Sequence, residues 1–358
     1  MSKSLEEVEN SGKALKMFVC GPTMYDFAQI GNAKTYIQMD LLARTLRRNG
    51  YKLTYIQNIT DIDDKIIAKA NQSNTSYKEI SERFEKEYLD DIKSLNINSV
   101  DKYVKATDHI DDIISQIDRL LAKGYAYKIS DGIYFEVAKF PGYGKLSGRV
   151  ETRRDDAQSR IDESKSKKGW NDFCLWKFSK RDEPSWEAPF GSGRPGWHIE
   201  DTAITESYFG SQYDIHGGAV DLIFPHHEAE ITQMESISGK TPFVKYWVHA
   251  GFLTVDGKRM GKSEDNFVTI RDALKKYAGH VIRLYILQSH YRSELNFSWD
   301  NLEEAKARLK SFNNFANLRH QPLDIEKNII DYRIHINNIN EFMTDDLASP
   351  KALAYISK

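Results

Sequence analysis

Cys20 closes the apolar run "KMFVC" in a chain with only two cysteines. Far along the same chain, "FPHHEAE" crowds His226, His227, Glu228 and Glu230 together. His226 and Glu230 are spaced i, i+4, so a helix would turn both to one side. A thiolate, an imidazole and carboxylates are a donor set that zinc accepts. The same letters also fit a small buried cysteine and a capped, solvated helix end, and no CxxC pair decides between the two.

Three further stretches carry chemistry. "VDGKRMGKSEDN" at 255–266 interleaves Lys258, Arg259 and Lys262 with glycines. A cationic loop of that kind can follow a triphosphate and neutralise charge as the outer phosphates leave; it also reads as a solvated hairpin turn. In "DIHGGAVD" at 214–221, paired glycines let backbone approach a ligand closely, and Asp221 could hold an amine or a ribose hydroxyl, although a glycine pair is usually only a turn. The acids of "NITDIDDK" could bind a metal, but fit better as first-turn residues of a helix. Cys174 in "DFCLWKF" reads as a buried strand residue.

These residues must be placed by ordinary elements. "KMFVC" is a short buried strand. A helix follows from about Gly31 to Asn49, with Ala33, Ile37, Leu41 and Leu42 as its apolar stripe and Gly50 as its stop. "KLTYIQNI" is the next strand. This βαβ unit implies a parallel sheet with ligands at the strand C-termini, where Cys20 and "NITDIDD" both lie. Ser76 and Glu79 form a capping box ahead of Ile80, Phe84, Tyr88 and Ile92. Ile110, Ile114, Ile117 and Leu121 repeat the helical rhythm. "YAYKISDGIYFEV" then alternates with period two around Asp131-Gly132, as a hairpin does. "GRVETRRDDAQSRIDESKSKKG" is nearly devoid of apolar residues and reads as a mobile surface loop. A helix is expected near Pro225, and helices from about Trp299 onward.

Composition bounds the class. The chain has 358 residues, 40% of them hydrophobic, and a formal charge of −2. That length suggests two or three domains. A global basic field cannot drive nucleic-acid binding, so local patches would have to. Two cysteines make no disulfide framework, the N-terminus lacks an apolar leader, and no apolar run reaches about 18 residues. A cytoplasmic, non-membrane protein is expected.

Taken together and in order, the motifs resemble the cysteinyl-tRNA synthetase family of class I aminoacyl-tRNA synthetases. The stretches that carry the resemblance are "FVCGPTMYDFAQIGNAKTY", "YIQNITDIDDKI", "DFCLWKFSKRDEPSWEAPFGSGRPGWHIED", "DIHGGAVDLIFPHHEAEI", "RMGKSEDNF" and "ILQSHYRSELNFS". The resemblance implies an α/β fold: a Rossmann-like parallel sheet, an inserted α/β subdomain and a C-terminal helical domain. The division expected is 1–120 and 185–252 for the two halves of the catalytic domain and 121–184 for the insert. A signature-loop and stem-contact segment at 253–300 and the start of a helical tRNA-binding domain at 301–358 complete it. Relative to the family, the chain is expected to lack the opening strand and much of the anticodon-reading end.

The resemblance further implies one zinc ion per chain, with Cys20, Asp201, His226 and Glu230 as ligands, that selects cysteine over its near-isostere serine. Position 201 is a departure, because the family's "WHIEC" is "WHIED" here. Asp is still a monoanion and an accepted zinc ligand, so zinc is expected to be retained by a harder donor set. Gly21, Thr60, Trp197, Asp221, His198 and His216 are implied as the amino-acid pocket, and Gly31, Gly217, Gly218 and Lys262 as ATP contacts. Gln29, Asn32, Arg259 and Lys262 are implied as the catalytic groups. The His-Ile-Gly-His signature is Gln29-Ile30-Gly31-Asn32 here, and the Lys-Met-Ser-Lys-Ser loop is Arg259-Met260-Gly261-Lys262-Ser263. The activity implied is formation of cysteinyl-adenylate from L-cysteine and Mg-ATP, then transfer to the 3′ end of tRNA(Cys) by a monomer. Two alternatives stay open at this level: a ligase joining cysteine to an amino sugar, and a non-catalytic synthetase-like binding protein.

Overall fold

A computed structural model describes residues 6–9, 12–149, 164, 166–181, 183–261, 266–318 and 332–357. The βαβ expectation holds: β1 (Leu15–Val19), α1 (Ile30–Arg48) and β2 (Leu53–Ile59) come first, then α2 (Asp64–Ser73), α3 (Tyr77–Ser94) and β3 (Lys102–Lys105). The chain continues through α4 (Ile110–Ala122), β4 (Ala126–Ile129), β5 (Gly132–Phe135), β6 (Phe173–Phe178), β7 (Gly193–Pro195), α5 (Ile199–Phe209) and β8 (Tyr213–Ala219). It then forms α6 (Glu228–Ser238), β9 (Val244–Ala250), β10 (Leu253–Val255), β11 (Lys258–Arg259), α7 (Ile270–Lys276), α8 (Gly279–Leu287) and β12 (Leu295–Phe297). Three helices complete it: α9 (Trp299–Asn317), α10 (Tyr332–Thr344) and α11 (Ser349–Ile356).

The central sheet is parallel throughout, in the order β3-β2-β1-β8-β9. The strand order reverses between β1 and β8. Such a switch point opens a crevice beyond the strand C-termini, and Cys20 sits there, with its N–H donating to the Gly217 carbonyl at 3.1 Å. Alternation along β1 separates two cores. Met17 and Val19 pack with α1 and α3, while Phe18 and Cys20 face α4, α5 and the second sheet. That second sheet is antiparallel, β4-β5-β6-β7, and the expected hairpin at Asp131-Gly132 is its first pair. A third, small sheet joins β11-β10-β12.

Two apolar stripes differ from the sequence reading. In α1, Leu41 and Leu42 are only half-buried, and the buried face runs through Ala33, Tyr36, Ile37, Met39, Ala43 and Leu46. In α4 the buried positions are Ile110, Ile113, Ile117 and Leu120, so the stripe is centred on other residues than Ile114 and Leu121. Both helices are sandwiched over a wider arc than a one-sided stripe assumes. Buried α1 even accommodates Lys34, whose Nζ donates to the carbonyls of Gly251 at 2.5 Å, Ser293 at 2.8 Å and Tyr291 at 3.4 Å. Burial pulls this lysine down to about 8, against the pull of Glu294. Three carbonyl acceptors match the three N–H groups of an ammonium.

The Ser76–Glu79 capping box forms as expected, and Ile80, Phe84, Tyr88 and Ile92 are all buried. Cys174 is buried in β6. The polar stretch at 150–163 lies outside the described residues. No helix among the described residues is long and apolar enough to cross a membrane.

Candidate active site

The crevice is a cleft of about 290 Å³, with Cys20, Gly21, Thr60, Trp197, Asp201, Asp221 and His226 at one end and Gln29 and Asn32 at the other. Each side chain arrives from a different element. Cys20 follows β1, Thr60 follows β2, Asp201 lies in the first turn of α5, and Asp221 follows β8. His226 comes just before α6, where the chain kinks at Phe224. The two half-families of expected ligands, far apart in sequence, are therefore brought together by the sheet.

At the closed end, His226 Nε2 lies 3.0 Å from both Asp201 Oδ2 and Glu230 Oε1, and Cys20 Sγ lies 3.9 Å from the same Glu230 oxygen. Donor atoms of Cys20, Asp201, His226 and Glu230 all fall within 4.8 Å of one another, and all four residues are buried. This rules out the solvated-helix-end reading of "FPHHEAE". Cys20, Asp201, His226 and Glu230 fit a divalent cation: three anions and an imidazole are held without solvent around one point. Without such an ion Cys20 and Glu230 hold their protons tightly. Burial raises the Cys20 thiol well above its ordinary value, with Asp201 and Glu230 adding to the shift. Burial and then Asp201 raise Glu230. A divalent ion inverts that logic by favouring every deprotonated form.

Asn58 organises this end, and the sequence reading passed over it. Its Oδ1 accepts the Gly21 N–H at 2.5 Å, and its Nδ2 donates to Asp201 Oδ1 at 2.6 Å and Thr60 Oγ1 at 3.2 Å. A Cβ on Gly21 would stand 1.8 Å from the Asn58 carbonyl oxygen, so only glycine fits between them. The signal in "NITDIDD" is its leading amide, not its acids. Those acids are structural: Asp63 caps α2, Asp64 pairs with Lys177 and Arg194, and Asp61 accepts from Thr107. Glu228 likewise accepts the backbone N–H of Ser147 at 2.9 Å and takes no part in the cluster.

Of the expected residues, His198 and His216 stand behind the cleft rather than in it, while Trp197 lines it. His198 Nδ1 is 2.8 Å from His226 Nδ1, and Trp197 stacks on the His226 ring at 4.4 Å. His216 stands beneath Cys20, with its Nε2 3.1 Å from Sγ. Gly217 and Gly218 are strand residues of β8 and do not line the cleft. A Cβ on Gly217 would press on Met39 of α1, and one on Gly218 on the His227 ring. Their small size serves packing at these positions.

At the open end, Gln29 is the N-cap of α1 and its backbone N–H donates to Asn32 Oδ1 at 2.9 Å. Asn32 Nδ2 is thus the amide group that can donate into the cleft. Gly31 has only the Met260 methyl near its Cβ direction. The "VDGKR" segment is the hairpin that the plainer reading expected: Thr254 and Val255 pair with Arg259 and Lys258 across an Asp256-Gly257 turn, both with positive φ. Arg259 is exposed, with its guanidinium 4.9 Å above the Phe252 ring. Asn266 holds the base of the loop, donating to the Arg259 carbonyl at 3.0 Å and accepting the Gly261 N–H at 3.0 Å. Lys262 lies outside the described residues.

The parallel sheet, the switch-point cleft and the cationic loop beside it define a class I aminoacyl-tRNA synthetase catalytic domain. Residues 6–307 match the family model described as tRNA synthetases class I (C) catalytic domain. The chain belongs to the cysteinyl-tRNA synthetase family. It is 50% identical over 304 residues to the cysteine–tRNA ligase of Thermoplasma acidophilum, covering 85% of this chain and 67% of that protein. It is 45% identical over 340 residues to that of Thermoplasma volcanium, covering 95% and 74%. Against the Pyrococcus furiosus enzyme it is 51% identical over 290 residues, covering 81% and 60%. The chain thus spans about two thirds of the length of these relatives. Among solved structures, a Mycobacterium tuberculosis methionyl-tRNA synthetase bound to methionyl-adenylate superposes with a TM-score of 0.70 at 15% identity. It covers 96% of this chain and 81% of that one, a likeness of fold.

Proposed function

We propose that this chain activates L-cysteine with Mg-ATP to cysteinyl-adenylate and passes the cysteinyl group to the 3′ end of tRNA(Cys). The observation that carries this reading is the single cleft with a buried Cys20–Asp201–His226–Glu230 cluster at one end and the start of α1 at the other. Zinc held by those four residues would bind the substrate thiolate and discriminate against the hydroxyl of serine. The remaining roles belong to the chain itself. Trp197 packs on the amino acid, Thr60 and the Gly21 backbone meet its polar groups, and Asp221 holds its ammonium. Asn32 and Gln29 offer amide donors to the phosphates, Gly31 lets the adenosine approach, and Arg259 and Lys262 draw off charge as pyrophosphate leaves. No side-chain nucleophile is needed. The cysteine carboxylate attacks the α-phosphate, and a ribose hydroxyl of the terminal adenosine then attacks the adenylate carbonyl, releasing AMP.

The relatives named above are cysteine–tRNA ligases, and neither the amino-sugar ligase nor the non-catalytic binder is favoured. The test is cysteine-dependent exchange of pyrophosphate into ATP, run beside serine, followed by charging of a tRNA(Cys) transcript. Exchange with cysteine and about a thousandfold less with serine is expected. Absence of exchange overturns the reading, as does equal exchange with both amino acids. Transfer to an amino sugar but not to tRNA would replace it with the alternative ligase.

A further inference from the structure

The metal cluster has a second face. His216 and His227 both aim Nε2 at Cys20 Sγ, from 3.1 and 3.2 Å. Each is fully buried, and each has its other nitrogen fixed from behind. His216 Nδ1 meets the Tyr213 hydroxyl at 2.5 Å, and His227 Nδ1 meets His249 Nε2 at 2.9 Å. Trp247 stacks on the His216 ring at 4.5 Å and fixes its plane. An outer partner on one ring nitrogen and an inward-facing lone pair on the other is how metal-ligating histidines are oriented. Donor atoms of Cys20, His216, His227 and Glu230 also fall within 4.8 Å of one another.

Hydrogen bonding distinguishes the two faces. On the cleft side, one N–H on His226 Nε2 can serve Asp201 and Glu230 together, and Asn58 serves the other Asp201 oxygen. That face closes on itself without an ion. On the rear side, a single Cys20 S–H can donate to only one of two imidazoles. Glu230 Oε2 is buried and accepts no hydrogen bond among the described residues, although His216 Nδ1 lies 3.3 Å away in a poor orientation. A cation would satisfy the sulfur, both imidazoles and a Glu230 oxygen at once. Charge points the same way. Cys20, Asp201 and Glu230 bring three negative charges to one divalent ion, whereas Cys20, His216, His227 and Glu230 bring two and leave a buried site neutral.

We propose that Cys20, His216, His227 and Glu230 form a second seat for the divalent ion, behind the cleft-facing set, and that this seat holds the ion when no amino acid is bound. The inference rests on the metal reading above and concerns where the ion sits. Because Cys20 and Glu230 belong to both sets, exchange of two ligands moves the ion between them. Position 201 makes the difference in this chain: a carboxylate already paired with Asn58 and His226 competes weakly for zinc against two imidazoles.

The test is X-ray absorption on the zinc-loaded 358-residue chain without amino acid, with metal content and cobalt spectra of variants. The rear seat predicts one sulfur and two imidazoles around the ion; the cleft-facing set predicts one imidazole. Asp201→Asn should keep one ion per chain with its sulfur-to-cobalt absorption intact. His227→Gln should weaken zinc binding about tenfold to a hundredfold. His249→Gln, which removes only the support behind His227, should weaken it by a smaller factor and serves if His227→Gln fails to fold. One imidazole in the spectrum overturns this proposal and leaves the metal reading standing, as does loss of the ion in Asp201→Asn with unchanged affinity in both histidine variants. A purified chain that takes up no ion overturns both.

Discussion

The two ends of the cleft are built on different principles. At the amino-acid end the donor cluster is buried and held by a second layer: Asn58 behind Asp201, His198 behind His226, Tyr213 behind His216. At the nucleotide end the groups are helix-terminal or exposed. Gln29 and Asn32 cap each other at the start of α1, and Lys258 and Arg259 project from a hairpin. The difference follows from what each end must do. Telling a thiol from a hydroxyl needs donors that cannot relax, whereas a leaving pyrophosphate is best met by charges that can follow it. Substitutions at the first end should therefore cost specificity for cysteine, and those at the second should cost rate alone.

The sharpest way to break that division is Cys20→Ala. It removes a donor common to both faces of the cluster. Metal content should fall to background, and cysteine-dependent pyrophosphate exchange should drop about a thousandfold, or ~4 kcal/mol of transition-state stabilisation. A variant that keeps its exchange rate and its preference over serine without metal would show that the buried end does not select by its donors.

Next in size is a residue that anchors the nucleotide end. Lys34, on α1, ties the helix that starts at the nucleotide site to the backbone at Gly251, Tyr291 and Ser293. Lys34→Met keeps the stem but strands those carbonyls, and a loss of about 3 kcal/mol in urea unfolding is expected. The sign of its pH dependence is fixed. With its folded value pulled down by burial to about 8 from 10.5, the unfolded chain binds the extra proton between those values. Stability should therefore rise with pH across that window in the parent chain, and Lys34→Met should remove its share of that slope.

How much of this was legible in the sequence divides along the same line. Cys20, His226 and Glu230 stand out as donors by residue type and spacing, Asp201 joins them only through the resemblance to the family, and the sheet unites the four. The βαβ unit, the capping box at Ser76 and the Asp131-Gly132 hairpin were legible because local chemistry decides them. What was missed is relational. Asn58 looks like any strand-end amide until its two functional atoms are seen between Gly21 and Asp201. A glycine pair such as Gly217-Gly218 signals close approach without saying to what; Met39 and His227 are the side chains that come close. The stripes of α1 and α4 were misread because a helix covered on several sides has no single periodic face to reveal.

Asn58→Ala sharpens the comparison by removing support without touching a donor. Zinc content without cysteine should stay near that of the parent chain, as for Asp201→Asn, because Asn58 backs only the cleft-facing set. The KM for cysteine should rise more than that for ATP. An equal rise in both would mean that the amide positions the whole cleft rather than its amino-acid end.

Arg259→Ala carries the smallest expected effect and tests the other half of the division. Its guanidinium rests over Phe252, exposed, and its backbone carbonyl is held by Asn266, so truncating the side chain leaves the loop base in place. An exposed charge that stabilises the leaving pyrophosphate only in the transition state should lower kcat about tenfold, near 1.4 kcal/mol, and leave the KM for cysteine unchanged. Zinc content and the preference for cysteine over serine should equal those of the parent chain. Raising the salt concentration should narrow the gap between parent and variant, because an exposed charge is screened and the buried donors are not. A loss of serine discrimination in this variant would join the two ends that the burial pattern separates.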